Sequence, residues 1–212
     1  MKRVLLACAL VAPLSSLAAT ATPDPLTHGD AAAGASKATP CVACHGVGGN
    51  GAINPEWPKL AGQGSAYIQS QLKHFKSGER KNPVMLGQAS ALADQDMADV
   101  AAYFTSLKPV PGVGGADSIK VAEKLYRAGD ATRGLPACAA CHGPTGAGNA
   151  TAQYPRIGGQ NVGYLNNQLN SYKKGKDGER GSGKNALIMA TVVSKLTDAE
   201  IAALASYSAG LQ

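Results

Sequence analysis

The apolar positions of the chain fall into one short block at its start and, further on, into segments of helical period. Met1-Lys2-Arg3 leads into an apolar stretch from Val4 to Val11, then Pro13 and a run of small residues ending Leu17-Ala18-Ala19-Thr20-Ala21. That order reads as a secretory signal peptide over residues 1–20, cleaved after Ala19 or Ala21, and the apolar stretch is too short to remain as a membrane span. Leu5-Leu6-Ala7-Cys8 has the letters of a lipidation site, but too few apolar residues precede it. Later, Leu92, Met97, Val100, Ala101, Phe104 and Leu107 share one helical face. Leu196, Ile201, Leu204, Ala205 and Leu211 repeat the pattern behind a capping sequence, Thr197-Asp198-Ala199-Glu200. Further helices are expected from about Asp30 or Asp130 towards the cysteines, and near Ser65 to Lys76 and Asn161 to Lys173. No alternating strand pattern competes, so an all-α fold is predicted.

The resemblance between those late helices extends to the whole chain. Cys41-Val42-Ala43-Cys44-His45 recurs as Cys138-Ala139-Ala140-Cys141-His142, and Gly46, Gly49, Gly51, Pro58, Gly62, Gln63, Tyr67, Gln71, Leu72, Lys76 and Gly78 recur at the same spacing of 97 residues. Upstream, Gly29-Asp30 and Gly34 match Gly129-Asp130 and Gly134; downstream, Met85, Leu92, Asp94, Tyr103 and Leu107 match Met189, Leu196, Asp198, Tyr207 and Leu211. The second copy therefore carries an insertion around Lys176 to Lys184, which reads as a tolerated surface loop or a docking loop. Lys108-Pro109-Val110-Pro111-Gly112-Val113-Gly114-Gly115 separates the copies and cannot continue a helix. Two tandem domains are expected, 21–108 and 118–212, joined by a Pro/Gly-rich linker at 109–117.

Composition sharpens the picture. Aromatic residues make up only 5% of the 212 residues, so two small domains lack the bulky side chains that fill most cores. The formal charge of +6 becomes +4 once Lys2 and Arg3 leave, without a dense basic block, so nucleic acid is not an expected partner. Peripheral association with a membrane stays open.

Two thiols separated by two residues and followed at once by an imidazole suit covalent haem: each sulfur forms a thioether and the adjacent His reaches the iron. A zinc ribbon wants its cysteine pairs about 15–20 residues apart, and a thioredoxin-type site wants a βαβ context that is missing here. Disulfides would give no reason for His45 and His142. Without the leader all four cysteines lie in the two motifs. Two covalent haems are expected, on Cys41 and Cys44 and on Cys138 and Cys141, and they would supply the missing apolar mass.

The remaining axial position separates electron transfer from catalysis, because an iron held on both sides has no place for a substrate. Met85 and Met189 recur, each in a stretch that reads as a loop, and are assigned opposite His45 and His142. Met97 aligns with Ile201 on an apolar face and reads as core. His28 and His74 have no counterparts. Met/His ligation places both centres at the oxidising end of the haem range, late in a respiratory chain.

With the two cysteine motifs, Pro58-Lys59-Leu60-Ala61-Gly62-Gln63, its counterpart Pro155 to Gln160 and the paired methionines, the chain resembles the cytochrome c-four family over nearly its whole length. The resemblance implies two class I cytochrome c domains related by a pseudo-twofold axis with their haems close together. It also implies a noncatalytic, monomeric periplasmic carrier between a quinol-oxidising complex or other donor and a terminal oxidase. Pro58 and Pro155 would supply the carbonyl that orients each imidazole. Trp57, where Tyr154 stands in the second copy, departs from the internal match. The linker spans at most roughly 33–36 Å, too long to hold the haems together, so close haems require a packed domain contact. Competing readings are the haem subunit of a flavin-containing periplasmic dehydrogenase, a dihaem peroxidase and a haem sensor.

Overall fold

The computed structural model describes residues 23–51, 53–116, 119–175, 178–180 and 183–212. The expected signal peptide, Lys176 and part of the insertion lie outside them. Ten α-helices are described, with two isolated β-bridges, Asp130 to Leu135 and Asn149 to Tyr154. None of the described helices is long and apolar enough to cross a membrane.

In the first half, α1 (Ala31–Lys37) starts where the Asp30 carboxylate accepts from the backbone N–H groups of Ala32 and Ala33. The short α2 (Thr39–His45) carries the cysteine motif and has Pro40 in its first turn. α3 (Ser65–Ser77) ends at Gly78, whose φ of 78° is the left-handed conformation a helix stop favours. Asn82 caps α4 (Pro83–Ser90) through Met85 N, and Asp96 reaches back to Ala93 N at the start of α5 (Asp94–Ser106). The second half repeats the order with α6 (Ile119–Ala128), α7 (Ala139–His142), α8 (Val162–Lys173), α9 (Lys184–Val193) and α10 (Asp198–Gly210).

In each half the first and last helices cross, α1 on α5 and α6 on α10, while α3 or α8 packs alongside the last helix. At the first crossing the backbones touch at Gly34, where an added Cβ would stand 2.0 Å from the Asp99 carbonyl oxygen. Met97, Phe104, Phe75 and Leu72 fill one core; Tyr126, Ile201, Val193 and Leu125 fill the other.

Two expectations fail in instructive ways. The second copy has no helix from Asp130 towards its cysteines: Asp130 caps a 3₁₀ turn over Ala131–Arg133, which Gly134 ends in the left-handed region. Its first helix precedes Asp130 instead, because Ala122, Leu125 and Tyr126 form its buried stripe. The matched Gly-Asp pairs thus enter a helix in one copy and leave one in the other. The methionine stretches are not loops either: Met85 lies in α4 and Met189 in α9.

Asp99 ties α1 to α5. Its buried carboxylate accepts from Asp30 N at 2.9 Å, Gln95 Nε2 at 2.9 Å and Lys37 Nζ at 2.6 Å. Burial alone would raise its pKa; Lys37, Asp30 and Gln95 outweigh that and hold it below the ordinary carboxylate value. A carboxyl with a depressed folded pKa contributes stability that is complete above its unfolded value of about 3.9 and is lost as pH falls through the folded value. Asp99→Ala leaves the Asp30 N–H without its acceptor and is expected to cost roughly 1–3 kcal/mol. Denaturant unfolding at pH 7 and pH 3 checks this: the cost should shrink at the lower pH, and an equal cost at both would exclude the ionic part.

The halves meet through reciprocal bonds. Gln63 donates to Arg156 O at 3.0 Å and accepts from Arg156 N at 2.8 Å; Gln160 donates to Lys59 O at 2.9 Å and accepts from Lys59 N at 2.8 Å. These residues are equivalent in the repeat, so each half offers the other the same pair of groups. Residues 108–115 do not swing free. Asn50 holds the linker at Lys108 O and Val110 N, and Gly112 and Gly114 lie so close to the backbone of α10 that a side chain would not fit.

Candidate haem sites

Each cysteine motif closes its short helix on a histidine. Gly46 and Gly143 then turn the chain with φ of 78°, and a Cβ on Gly46 would stand 1.9 Å from the Gly51 carbonyl. That turn brings the following loop back over the imidazole. His45 Nδ1 donates to Pro58 O at 2.8 Å, and His142 Nδ1 donates to Pro155 O at 2.9 Å. A carbonyl can only accept, so Nδ1 carries the proton in both rings and Nε2 keeps its lone pair for a metal. Burial holds both imidazoles below the ordinary histidine pKa, against the upward pull of the proline carbonyls. Both are therefore neutral at pH 7, the form a metal requires.

The thiols behave differently from those of a redox Cys-x-x-Cys pair. No disulfide links Cys41, Cys44, Cys138 or Cys141. Burial pushes the Cys41 thiol up and the Cys138 thiol to about 11, whereas a thiol-exchange site lowers the value.

A single cavity of about 1100 Å³ receives both motifs, at or above the roughly 300–1,000 Å³ of a typical single-ligand pocket. Cys41, Cys44, His45 and Met85 of the first half and Cys138, Cys141, His142 and Met189 of the second all line it. Tyr67 and Tyr164, whose hydroxyls accept from Arg180 and Arg80 across the domain contact, line it as well. Met85 packs on the same apolar cluster as Cys41, and Met189 on the same cluster as Cys138. Met97 is fully buried in the first core, as its position on an apolar face predicts. His28 is exposed away from the cavity, while His74 lines its rim with Nε2 3.5 Å from Glu79 Oε2. Two thiols, one oriented imidazole and one thioether around an apolar space fit a covalently held haem in each half.

The Cytochrome c family model matches residues 31–108 and again residues 122–211. The chain belongs to the cytochrome c family. It is 41% identical over 211 residues to the cytochrome c4 of Pseudomonas aeruginosa, covering all of both chains. It matches the crystal structure of reduced recombinant cytochrome c4 from Pseudomonas stutzeri with a TM-score of 0.81 and 42% identity, over 87% of this chain and all of the other. A thiosulfate dehydrogenase electron acceptor of Thiomonas intermedia is 38% identical over 182 residues, covering 84% of this chain and 81% of its own. The chain is thus a dihaem electron-transfer protein of the cytochrome c4 type, not an enzyme, with two covalently bound c-type haems in two cytochrome c domains.

Sequence reasoning missed a pair of arginines. Gly78-Glu79-Arg80 recurs as Gly178-Glu179-Arg180, shifted by 100 residues, between the 97 of the motifs and the 104 of the methionines. Neither of those registers pairs them. Arg80 stacks on Phe75 with its Cζ 4.4 Å from the ring centre; Arg180 stacks on Tyr172, the repeat partner of Phe75, at 4.8 Å. Each then reaches across the contact: Arg80 donates to Tyr164 Oη at 3.2 Å and Gln168 Oε1 at 2.9 Å, Arg180 to Tyr67 Oη at 2.9 Å. Lys81 N also donates to Glu179 O at 2.8 Å. In the described part of the insertion Gly178 and Arg180 are buried while Glu179 and Lys184 are exposed, and its backbone bonds to the other half.

Proposed function

We propose that this chain is a periplasmic carrier that passes electrons from a quinol-oxidising complex, or another donor, to a terminal oxidase, working as a monomer of two domains at 21–108 and 118–212. Residues 1–20 direct export. Cys41 and Cys44 attach the first haem and Cys138 and Cys141 the second; His45 with Met85, and His142 with Met189, hold the two irons. The bound haem supplies a one-electron change at iron. His45 with Met85 and His142 with Met189 would hold the irons from both sides, and the Pro58 and Pro155 carbonyls hold each imidazole in one tautomer. The observation that supports this reading is that both histidines, each with its Nδ1 proton committed to a proline carbonyl, and both methionines line one cavity; a methionine opposite each histidine would leave a substrate no metal position. Two closed centres suit transfer between partners rather than turnover of peroxide.

A second reading is favoured by the relative named as a thiosulfate dehydrogenase electron acceptor: the carrier takes its electrons from a periplasmic dehydrogenase. One experiment weighs both. The reduced protein is mixed with oxidase-containing membranes of its source organism, and the oxidised protein with a thiosulfate dehydrogenase and its substrate, each followed in the visible spectrum. Rapid oxidation by the membranes, abolished by cyanide, supports the oxidase route. Slow oxidation there with rapid reduction by the dehydrogenase would move the second reading to the front.

A further inference from the structure

The repeat is broken where each half holds the loop in front of its histidine. Pro58 O and Pro155 O take the imidazole protons, and the carbonyls one and three residues earlier are also bonded in each half, but from different sides. In the first half, Trp57 O accepts from Asn161 Nδ2 at 2.8 Å and Pro55 O from Tyr164 N at 3.1 Å, and both donors lie at the start of α8 in the second half. The equivalent carbonyls of the second half stay within it. Tyr154 O accepts from Asn149 N at 2.9 Å, and Ala152 O from Asn185 Nδ2 at 3.1 Å, in the first turn of α9. Asn161 stands at the N-cap of α8, where an asparagine ordinarily caps its own helix. Its side chain makes no such bond and gives its donor to the other domain. The repeat partner of Asn161 is Gly64, at the N-cap of α3, which has no side chain to reciprocate. A Cβ on Gly163 would stand 3.0 Å from Pro55 O, so α8 meets the loop backbone to backbone.

We propose that Asn161, with the first turn of α8, is a positioning group for His45, so that the second domain sets the proximal side of the first haem while the first domain offers no such group to His142. The inference rests on His45 as the ligand of the first iron, and does not depend on which partner the carrier serves. An imidazole whose Nδ1 proton is held by a carbonyl is fixed in orientation and is a stronger donor through Nε2. That carbonyl is held only as firmly as the loop that presents it. The glutamine bonds at Lys59 and Arg156 are the same in both halves and cancel in the comparison. What differs is the pair of carbonyls before each proline. For Pro155 they are closed by Asn149 and by Asn185, on the helix that bears Met189; for Pro58 they are closed from α8. Loss of the Asn161 bond therefore reaches His45 and leaves the loop before Pro155 as it was.

The test uses the holoprotein with isotopically labelled histidine and two haems confirmed by pyridine haemochrome. Exchange of each Nδ1 proton with solvent is followed in the ferrous state by nuclear magnetic resonance. Asn161→Gly gives the second half the residue of the first, at a position where glycine is a tolerated cap. It is expected to speed exchange at His45 roughly threefold to tenfold, the weight of one hydrogen bond, and to leave His142 unchanged. The potential of the first haem, assigned by following the redox titration in the same spectra, should rise, because a less firmly held proton makes the imidazole a poorer donor to ferric iron. The second potential should stay. Asn161→Asp keeps the size and can cap α8 but has no donor for Trp57 O; it should reproduce the faster exchange at His45, and gives the reading if the glycine variant loses haem. Asn185→Ala frees Ala152 O and should act at His142 alone. Unchanged exchange at His45 on replacing Asn161, equal acceleration at both histidines, acceleration of His45 by Asn185→Ala, or a first potential that falls or stays in Asn161→Gly overturns the proposal. A His45 ring signal without a haem ring-current shift in the unaltered protein would sink the ligand assignment itself, and the proposal with it.

Discussion

A chain made without haem, its four motif cysteines replaced by alanine, is expected to have no cooperative native state. The cavity between the helices measures about 1100 Å³ and is lined by Ile68, Leu72, Phe75, Leu165 and Leu204 among others. Without haem, water would wet this apolar surface, at roughly 25 cal/mol per Å² exposed, and the whole stability of a domain is only about 5–15 kcal/mol. The helices then lack the apolar mass they pack against. Far-UV circular dichroism should show a large loss of helicity, and calorimetry no sharp transition, while the holoprotein unfolds cooperatively. A sharp transition with full helicity in the haem-free chain would mean that the cavity collapses onto itself and that the cores around Phe104 and Ile201 suffice alone.

Met189→Ala should open one iron and leave the other closed. Met85 and Met189 line the cavity on the same apolar clusters as their cysteines, so replacing one removes a single thioether from one site. The weak Met-to-iron absorption of the oxidised protein should fall by half. Carbon monoxide should bind one of the two reduced haems, and the potential of that haem should drop within the roughly 0.8 V range that axial ligands span. Met97→Ala is the contrast: Met97 is fully buried in the first core, and its loss should cost about 2–5 kcal/mol of stability while leaving both bands intact. If Met189→Ala keeps the full band and stays closed to carbon monoxide, the distal assignment is wrong and another donor completes the site.

Much of this site was legible in one dimension because its chemistry is local. Cys41, Cys44 and His45 sit within five residues, and their recurrence at 138 to 142 declared two sites. The all-α reading held because the apolar stripe of α5 is decided by side chains three and four apart. The same locality misled at Asp130, where a Gly-Asp pair that opens a helix in one copy closes one in the other; what decides is the helix already formed by Ile119–Ala128. The methionine stretches read as loops because Pro83 opens one and short apolar runs carry little period, yet a proline in the first helical turn is no obstacle. The domain contact was hidden for a different reason. Gln63 and Gln160 stood out as repeated, but a glutamine names no partner until a backbone 93 or 101 residues away comes into reach. Arg80 and Arg180 were masked by the insertion itself, which shifts the register on either side of them.

The reciprocity of that contact says something about origins of assembly that the count of haems does not. Gln63 grips the backbone of Arg156, and Gln160 grips that of Lys59, through the same two bonds. A single repeat thus already carries both the hand and the handle: its glutamine and the chain segment four residues before it. Such a surface is self-complementary in the way of a symmetric dimer. One half on its own would display a face matched to its own copy, and the tether at 108–115 turns what would be a concentration-dependent encounter into a fixed internal partnership.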